Sequence, residues 1–317
     1  MKLIFNKIFL EHDTGMHPEN SSRLEAFGKL EETKVENGEK YLELVHTKDY
    51  IEQVKKACKA GIQLDPDTIT SEKSYEAACC AVGATVMASE SNDFALVRPP
   101  GHHAFPSIGS GFCLFNNIAI AAKKLLNDGK RVYILDFDGH FGNGTSGIFY
   151  KSDKVLYMST HQSPAYPGGG SIDEIGEGKG KGYTIPIPLL PGTGDDLLLS
   201  SIKRFIPIAK QFKPDVIGVS AGFDGHHADS LLALRFSMNA YYEIGKLLKE
   251  NFKNIFATLE GGYNTEFLPK CVHNFIAGVN DEAIKFKENS TISEGIAEEH
   301  EANMAKLERN LAEFWSI

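Results

Sequence analysis

The sequence is poor in cysteine and tryptophan, and it contains no long uninterrupted apolar run. Its five cysteines form no CxxC pair, and an odd number without a spacing framework indicates reduced thiols rather than disulfides. No apolar stretch approaches the roughly 20 residues that span a bilayer, and the N-terminal apolar run is too short for a signal peptide. We therefore expect a cytoplasmic protein without a membrane partner.

Blocks of lysine and arginine are also missing. The formal net charge of -9 argues against a nucleic-acid-binding surface, so we expect no nucleic acid among the partners. The chain is long enough for two domains, but 317 residues of ordinary composition also suit one α/β unit. Composition thus indicates an ordinary globular protein that is large enough to bury a sizeable core.

Short apolar segments alternate with helical patterns along the chain. The strand candidates are Phe94–Val97, Val132–Phe137, Val155–Ser159, Val216–Ser220 and Ile255–Leu259. The helix candidates are Ser71–Glu90, Asn116–Asn127, Asp195–Phe212 and Met238–Asn251. This alternation, with strands that read as continuous apolar runs, predicts an α/β fold with a mainly parallel sheet and helices on both faces. The Gly-, Ser- and Pro-rich segment 163–182 is predicted to be a surface loop at the rim of a pocket.

Two carboxylates and an imidazole lie at and just beyond the end of the second of these strands. Asp136, Asp138 and His140 are spaced i, i+2, i+4, which would place them on one side of an extended chain. Polar groups that follow so apolar a run are rarely buried unpaired, so a metal site is favoured over a solvated loop. Asp138 and His140 would supply two ligands. A third is expected at another strand end, where Asp224 is the first candidate and His226 and His227 are alternatives.

Two neighbouring histidines follow the first strand. His102 and His103 lie beyond Phe94–Val97, and such a pair beside a metal would suit acid–base chemistry. A carboxylate would favour the protonated form of one ring, whereas an amide such as that of Asn143 would orient the other ring without a comparable effect. Tyr263, on a glycine-rich turn after the fifth strand, could donate to a developing oxyanion.

Five co-linear motifs carry a resemblance to a known family. They are Arg-Pro-Pro-Gly-His-His at 98–103, Gly-Phe-Cys-Leu-Phe-Asn-Asn at 111–117, Asp-Phe-Asp-Gly-His-Phe-Gly-Asn-Gly-Thr at 136–145, Gly-Phe-Asp at 222–224 and Glu-Gly-Gly-Tyr-Asn at 260–264. Together they resemble the histone deacetylase family, which includes acetoin-utilisation proteins and acetylpolyamine amidohydrolases; His17-Pro-Glu and Arg23-Leu resemble its N-terminal signature. The similarity runs from about residue 10 to residue 280.

The resemblance implies a fold and a set of site residues. The fold is an arginase-like, eight-stranded mainly parallel sheet flanked by helices, with a zinc-dependent deacetylase domain over residues 1–280. The zinc ligands fall on Asp138, His140 and Asp224. The tandem histidines fall on His102 and His103, with the second preferred as general base. Asp136 and Asn143 match the residues that buttress them, and the catalytic tyrosine falls on Tyr263.

The resemblance also implies a substrate tunnel and a second cation. Phe112 and Tyr166 would wall an acyl-lysine tunnel, and the backbone of Gly111 would line it. A structural potassium site would use backbone carbonyls and hydroxyls of Asp136, Asp138, His140, Ser159 and Thr160. Three positions depart from the family pattern. Phe141 stands where the family commonly has a second histidine, Gly139 replaces a bulkier residue, and the stretch 228–235 lacks the usual Pro-Leu-Gly-Gly motif.

Leu231 bears on the choice of substrate. Polyamine-preferring family members carry a Glu at this position, whereas leucine suits the aliphatic stem of acyl-lysine. We therefore expect zinc-dependent deacylation of acyl-lysine in proteins or peptides through metal-activated water, with small acylated amines such as acetylpolyamines as the alternative. A catalytically idle acyl-lysine reader and a binuclear manganese ureohydrolase are disfavoured, the first because the presumed catalytic positions hold competent residues and the second because it needs more carboxylates.

The C-terminal segment 281–317 is predicted to form an amphipathic helical extension. Its apolar positions follow three–four spacing: Ile292, Ile296, Met304, Leu307, Leu311 and Phe314. The resulting stripe would pack on the domain or at a subunit interface, so a homo-oligomer is left open.

Overall fold

A seven-stranded, entirely parallel sheet forms the centre of the molecule in the computed structural model, which describes residues 1–317. The strands are β1 Leu3–Ile4, β2 Phe94–Ala95, β3 Val132–Asp136, β4 Val155–Gln162, β5 Thr184–Leu189, β6 Val216–Ala221 and β7 Ile255–Leu259. Their order across the sheet is β1-β2-β7-β6-β3-β4-β5, with every neighbouring pair parallel. The α/β fold with a parallel sheet is thus confirmed.

Nine α-helices accompany the strands. They are α1 Ser22–Glu25, α2 Lys48–Ala60, α3 Ser74–Ser91, α4 Asn117–Asn127, α5 Asn143–Phe149, α6 Asp195–Phe212, α7 Met238–Asn251, α8 Leu268–Val279 and α9 Ala297–Leu311. Every residue of β3, β6 and β7 is buried, as expected of strands covered on both faces. None of the helices combines the length and the apolar character that crossing a bilayer requires.

The expected eighth strand is absent, which corrects the prediction of an eight-stranded sheet. One edge of the sheet ends at β1, which is only two residues long. The other edge is β5, which contacts α9 and pairs with no further strand. The sheet therefore has seven strands, with β1 as one outer strand and β5, beside α9, as the other.

Most predicted elements occur within a few residues of their expected positions. The bounds of α6, α7 and β7 are as predicted. Helix α3 begins at Ser74 rather than Ser71, because Ser74 Oγ accepts a hydrogen bond from the Ser71 amide at 2.8 Å and holds the preceding residues in a turn. β2 stops at Ala95 rather than at Val97. The chain then runs into Arg98-Pro99-Pro100, where the prolines lack the amide hydrogen that a strand would donate.

The C-terminal helix packs against the rest of the chain through part of the predicted stripe. Met304, Leu307 and Leu311 are buried, and α9 contacts α6 and β5. Ile292 lies before the helix and is exposed, and Phe314 follows it and is partly exposed. The helical spacing is therefore real only between residues 297 and 311.

The register of the central strands aligns their carboxyl ends. Asp136, the last residue of β3, pairs with Ser159 of β4 on one side and with Ser220 of β6 on the other. Residues that follow these strands consequently meet at the carboxyl-terminal end of the sheet, where ligands bind in parallel α/β folds.

Candidate active site

Three side chains of the kinds that bind metals meet at the carboxyl-terminal end of the sheet. Asp138 and His140 lie in the turn after β3, and Asp224 lies in the turn after β6. Their side-chain ligand atoms all lie within 4.8 Å of one another. His140 Nδ1 is 2.8 Å from Asp224 Oδ2 and 3.3 Å from Asp138 Oδ1. The structure therefore brings the three predicted metal-ligand positions together.

Backbone amides hold the two carboxylates in place. Gly261 N donates to Asp138 Oδ2 at 2.7 Å, and Gly139 N donates to Asp224 Oδ1 at 2.8 Å. The remaining oxygens, Asp138 Oδ1 and Asp224 Oδ2, face the His140 ring. A side chain at Gly261 would come within 2.6 Å of both carboxylates, so glycine is needed for this close approach.

The donor set fits a divalent cation. Burial alone would lower the pKa of His140, but the carboxylates of Asp224 and Asp138 outweigh burial and raise that pKa to about 10. Burial and the Asp138 charge raise the pKa of Asp224 to about 6. The two carboxylates thus favour positive charge between them, and one imidazole with two carboxylates is a nitrogen–oxygen set that zinc accepts.

The other candidates for the third ligand lie elsewhere. His226 Nε2 is 3.1 Å from Glu288 Oε2, and His227 Nε2 is 2.7 Å from Glu288 Oε1. Both histidines are therefore paired with Glu288 and not with Asp138. Asp136 is also separated from the cluster, because β3 ends at this residue and the alternation of an extended strand does not continue to Asp138.

The tandem histidines have different partners. His102 Nδ1 lies 3.2 Å from Asp136 Oδ2, which also accepts a hydrogen bond from the Tyr157 hydroxyl at 2.9 Å. His103 Nδ1 lies 2.8 Å from Asn143 Oδ1. The two imidazole rings are 4.0 Å apart between centroids.

These partners shift the two pKa values in opposite directions. Burial lowers the pKa of His102, but the charges of Asp138 and Asp136 outweigh it and raise that pKa to about 10. Burial and the neighbouring His102 charge hold the pKa of His103 well below its usual range. Near neutral pH the pair therefore has one charged and one neutral ring, a pattern typical of acid–base sites.

Tyr263 sits beside the metal-ligand cluster on a turn held from two sides. Its amide donates to Asp229 Oδ2 at 2.6 Å, and the Arg23 guanidinium lies 4.9 Å from the centroid of its ring. Arg23 also donates to the carbonyls of Glu260 and Gly262, at 2.6 and 2.7 Å. Burial raises the pKa of the Tyr263 phenol well above its usual range, so this group keeps its proton.

Glu260 is a site residue whose role the sequence motifs do not predict. Its Oε2 accepts hydrogen bonds from the amides of Gly101 and His102, at 2.7 and 3.1 Å, and thereby fixes the turn that carries the histidines. Arg23 and Asp229 were likewise given no role. Their only signal was proximity to the quoted motifs, since Glu260 opens Glu-Gly-Gly-Tyr-Asn and Arg23 belongs to the N-terminal pair.

A cavity of about 210 Å³ leads to these side chains. Its lining contains the four predicted tunnel residues, Gly111, Phe112, Tyr166 and Leu231. The other four lining residues are Asp67, His103, His140 and Tyr263. Phe112 packs edge-to-face on Tyr263 with the ring centroids 5.8 Å apart. Gly111 has φ +55°, and a side chain there would strike the His103 ring. A larger cavity of about 800 Å³ lies at the amino ends of β1 and β7 and contains none of these residues.

The residues expected around potassium lie on β3, β4 and the turn after β3. Ser159 Oγ is 3.0 Å from His161 Nδ1, and the Thr160 hydroxyl is buried without a hydrogen-bond partner. The side chains of Asp138 and His140 face the metal-ligand cluster, so these two residues could offer only backbone carbonyls to a second cation.

Comparisons with known proteins assign most of the chain to one family. The family described as "Histone deacetylase domain" matches residues 17–279. A probable deacetylase from Archaeoglobus fulgidus is 37% identical over 98% of this chain and 95% of its own length. Histone deacetylase 14, chloroplastic, from Arabidopsis thaliana is 37% identical over 83% of this chain and 73% of its own length.

A solved structure shows the same architecture. The crystal structure of the HDA15 HD domain superposes with a TM-score of 0.89 and 29% sequence identity, covering 99% of this chain and 96% of that one. A histone deacetylase-like amidohydrolase from Pseudomonas aeruginosa is 34% identical over 72% of this chain and 64% of its own length. The chain therefore belongs to the histone deacetylase family of deacetylases and amidohydrolases.

Proposed function

We propose that this protein removes acetyl or other short acyl groups from lysine side chains of proteins or peptides in a zinc-dependent hydrolysis. The observation that carries the proposal is the buried Asp138, His140 and Asp224 cluster at the base of a cavity that His103 and Tyr263 also line. Those three side chains would hold the zinc ion. When bound, zinc supplies Lewis-acid polarisation of the amide carbonyl and activation of water.

His103 is the proposed proton acceptor. Asn143 Oδ1 accepts from Gly144 N at 3.1 Å and faces His103 Nδ1, so this oxygen orients the ring with its proton on Nδ1. Nε2 of a neutral His103 is then free to take a proton as water attacks the amide carbon. One of the tandem histidines returns a proton to the leaving nitrogen, which gives a free amine and a short carboxylic acid.

Tyr263 and His102 are proposed to stabilise charge during this step. The protonated Tyr263 phenol can donate a hydrogen bond to the oxyanion that forms from the carbonyl oxygen. The charges of Asp138 and Asp136 raise the pKa of His102, Asp136 orients its ring through Nδ1, and the charged ring adds positive potential next to His103. Asp136 and Asn143 thus act as orienting partners of the two rings.

The cavity favours acyl-lysine as the substrate. Phe112 and Tyr166 offer aromatic faces to an aliphatic stem, and Leu231 at the rim is apolar and 38% exposed. Leu231 provides no carboxylate for the second ammonium group of a polyamine. Asp67, however, also lines the cavity, and this carboxylate is the observation that favours small acetylated amines as the second candidate.

We extend the proposal to the cation near β4 and to the domain organisation. A potassium ion would bind to backbone carbonyls of Asp136, Asp138 and His140 with Ser159 and Thr160, and the unpartnered Thr160 hydroxyl supports this position. Residues 1–280 would form the deacetylase domain, and residues 281–317 would form an extension packed on it.

Substrate competition tests the proposal. We expect the wild-type protein to have a higher kcat/KM for an acetyl-lysine peptide than for N-acetylspermidine. Leu231→Glu should shift that ratio towards the polyamine by about tenfold or more, because a charge-assisted contact contributes about 1.5–3 kcal/mol. Leu231→Met, which conserves the apolar character, is the control. A wild-type preference for N-acetylspermidine would overturn the choice of acyl-lysine.

A further inference from the structure

The segment between β4 and β5 connects the candidate active site with the C-terminal helix. This wall loop, defined as residues 163–182, carries Tyr166 into the cavity lining, where its ring lies 5.3 Å from that of His103 and 6.4 Å from that of His140, measured between centroids. Tyr166 is half-exposed, so its position depends on the backbone that carries it. What holds the wall loop therefore determines one wall of the cavity.

The middle of the wall loop is tied to the sheet. Glu174 accepts hydrogen bonds from the amides of Gly170 and Ser171, both at 3.1 Å. The Gly170 carbonyl lies 3.0 Å from Nε2 of His161, a buried residue of β4. The His161 ring in turn packs on Phe141, the residue after His140, with the centroids 4.7 Å apart. A displacement at residues 170–174 would thus reach the neighbourhood of the metal-ligand cluster.

The far side of the same turn is held by α9. Asn310 Nδ2 donates to the Ile172 carbonyl at 2.8 Å and to Asp173 Oδ1 at 3.0 Å. Lys306 Nζ donates to Asp173 Oδ2 at 3.1 Å. Ile172 and Ile175 are buried in the same hydrophobic cluster as the apolar face of α9.

Two further contacts fix the end of the loop and the helix itself. Trp315, just after α9, donates from Nε1 to the Gly182 carbonyl at 2.6 Å. Arg204 of α6 pairs with Glu308 and Glu301 of α9 at 2.6–2.8 Å, so the helix is anchored to the body of the protein. The helix therefore lies between a rigid support and the wall loop.

We infer that α9 is a positioning element for the substrate cavity, with Asn310 and Lys306 as positioning residues that hold the wall loop and its Tyr166 in place. The link to substrate binding rests on the proposed function, because Tyr166 matters to catalysis only if the cavity receives the acyl-lysine stem. Neither residue touches the cavity, so both act through residues 170–174.

Amide hydrogen exchange combined with kinetics tests this inference. In the double variant Asn310→Ala/Lys306→Ala, exchange at Gly170, Ser171 and Glu174 should accelerate about tenfold, because three hydrogen bonds that oppose local opening are lost. KM for the acetyl-lysine peptide should rise severalfold while kcat changes little, since the wall contributes to ground-state binding. Both side chains are at least partly exposed, so the variant is expected to fold.

A matched control removes the same kinds of contact elsewhere. Asn254→Ala/Lys270→Ala deletes an amide-to-carbonyl hydrogen bond and a lysine–carboxylate pair that are remote from the wall loop, and it should leave both readouts unchanged. Unaltered exchange in the wall loop of the Asn310/Lys306 variant would overturn the inference, as would faster exchange with unchanged KM. If the wild-type protein hydrolyses no acyl-lysine, the proposed function fails, and the exchange comparison alone decides whether α9 holds the loop.

Discussion

His102 and His103 lie side by side, yet the Nδ1 atom of one ring faces the Asp136 carboxylate and that of the other faces the Asn143 amide. A carboxylate stabilises the imidazolium form, whereas an amide oxygen orients the neutral ring. The charges of Asp138 and Asp136 raise the pKa of His102, whereas burial and the neighbouring His102 charge lower the pKa of His103. In the proposed mechanism, the neutral His103 accepts the proton and the charged His102 adds positive potential beside it.

Tyr263→Phe tests the role of a single oxygen atom. We expect turnover of the acetyl-lysine peptide to fall by about 10²–10³-fold, because one donor to the oxyanion is lost. Zinc content and the unfolding midpoint should not change, since the hydroxyl is not part of the proposed ligand set. Tyr242→Phe, whose hydroxyl bonds the distant Glu282 carbonyl, serves as the control. Unchanged turnover in Tyr263→Phe would refute the assignment.

The sequence predicted the candidate site side chains better than it predicted the residues that hold them in place. Asp138, His140 and Asp224 could be predicted because each follows an apolar strand and belongs to a recognisable motif. The roles of Arg23, Glu260 and Asp229 could not be predicted, because their partners are backbone atoms of distant turns that approach only in the folded chain. Local pattern predicts the candidate site residues, whereas the groups that support them become apparent only in the folded chain.

At the scale of elements, α7 and α8 show how backbone contact sets the distance between helices. A Cβ atom at Gly245 of α7 would lie 2.9 Å from Val279 N and closer still to the Phe275 carbonyl, and Gly278 of α8 approaches α7 in the same way. Glycine in a helix normally costs about 1 kcal/mol relative to alanine. Here the close approach of two backbones offsets that cost.

Gly245→Ala should therefore destabilise the protein despite its better helix propensity. We expect a loss of about 1–3 kcal/mol in the free energy of unfolding, because the added methyl group overpacks two backbones that cannot move independently. Urea unfolding followed by circular dichroism measures the effect. Glu250→Ala, at an exposed position of the same helix, is the control, and a Gly245→Ala protein as stable as that control would contradict the packing argument.

Strand β5 shows why some elements escaped prediction. Its sequence Thr-Ile-Pro-Ile-Pro-Leu contains Pro186 and Pro188, which argue against a strand because each lacks an amide hydrogen. β5 lies at the edge of the sheet, where missing donors on its outer side cost little. In contrast, α7 has the predicted bounds, and in the structure Ser237 caps it by accepting from Asn239 N at 3.2 Å.

At the scale of the whole molecule, buried neutral histidines make the fold sensitive to acid. Burial lowers the pKa of His12, His46 and His161 to about 4 in each case. An unfolded chain binds these protons near pH 6.5, so the unfolded state holds more protons between about pH 6.5 and 4. Their contribution to stability is therefore complete above this window and decreases as the pH falls through it.

His46 gives the sharpest test of this acid sensitivity. Its Nε2 accepts a hydrogen bond from Asn116 N at 2.9 Å, which protonation would abolish. Between pH 7 and pH 4 the wild-type protein should lose about 3 kcal/mol more unfolding free energy than His46→Gln, which has no titrating ring. Gln53→Ala, at an exposed and non-titrating residue of α2, should follow the wild-type curve. Parallel curves for wild type and His46→Gln would disprove the argument.

Metal-dependent turnover tests the central claim most directly. Hydrolysis of an acetyl-lysine peptide should be lost when the purified protein is treated with a strong chelator, and it should return when about one zinc ion per chain is added back. Asp138→Ala should neither bind the ion stoichiometrically nor regain activity. Two manganese ions per chain would point instead to a binuclear site, and undiminished hydrolysis by the metal-free protein would contradict the proposed function.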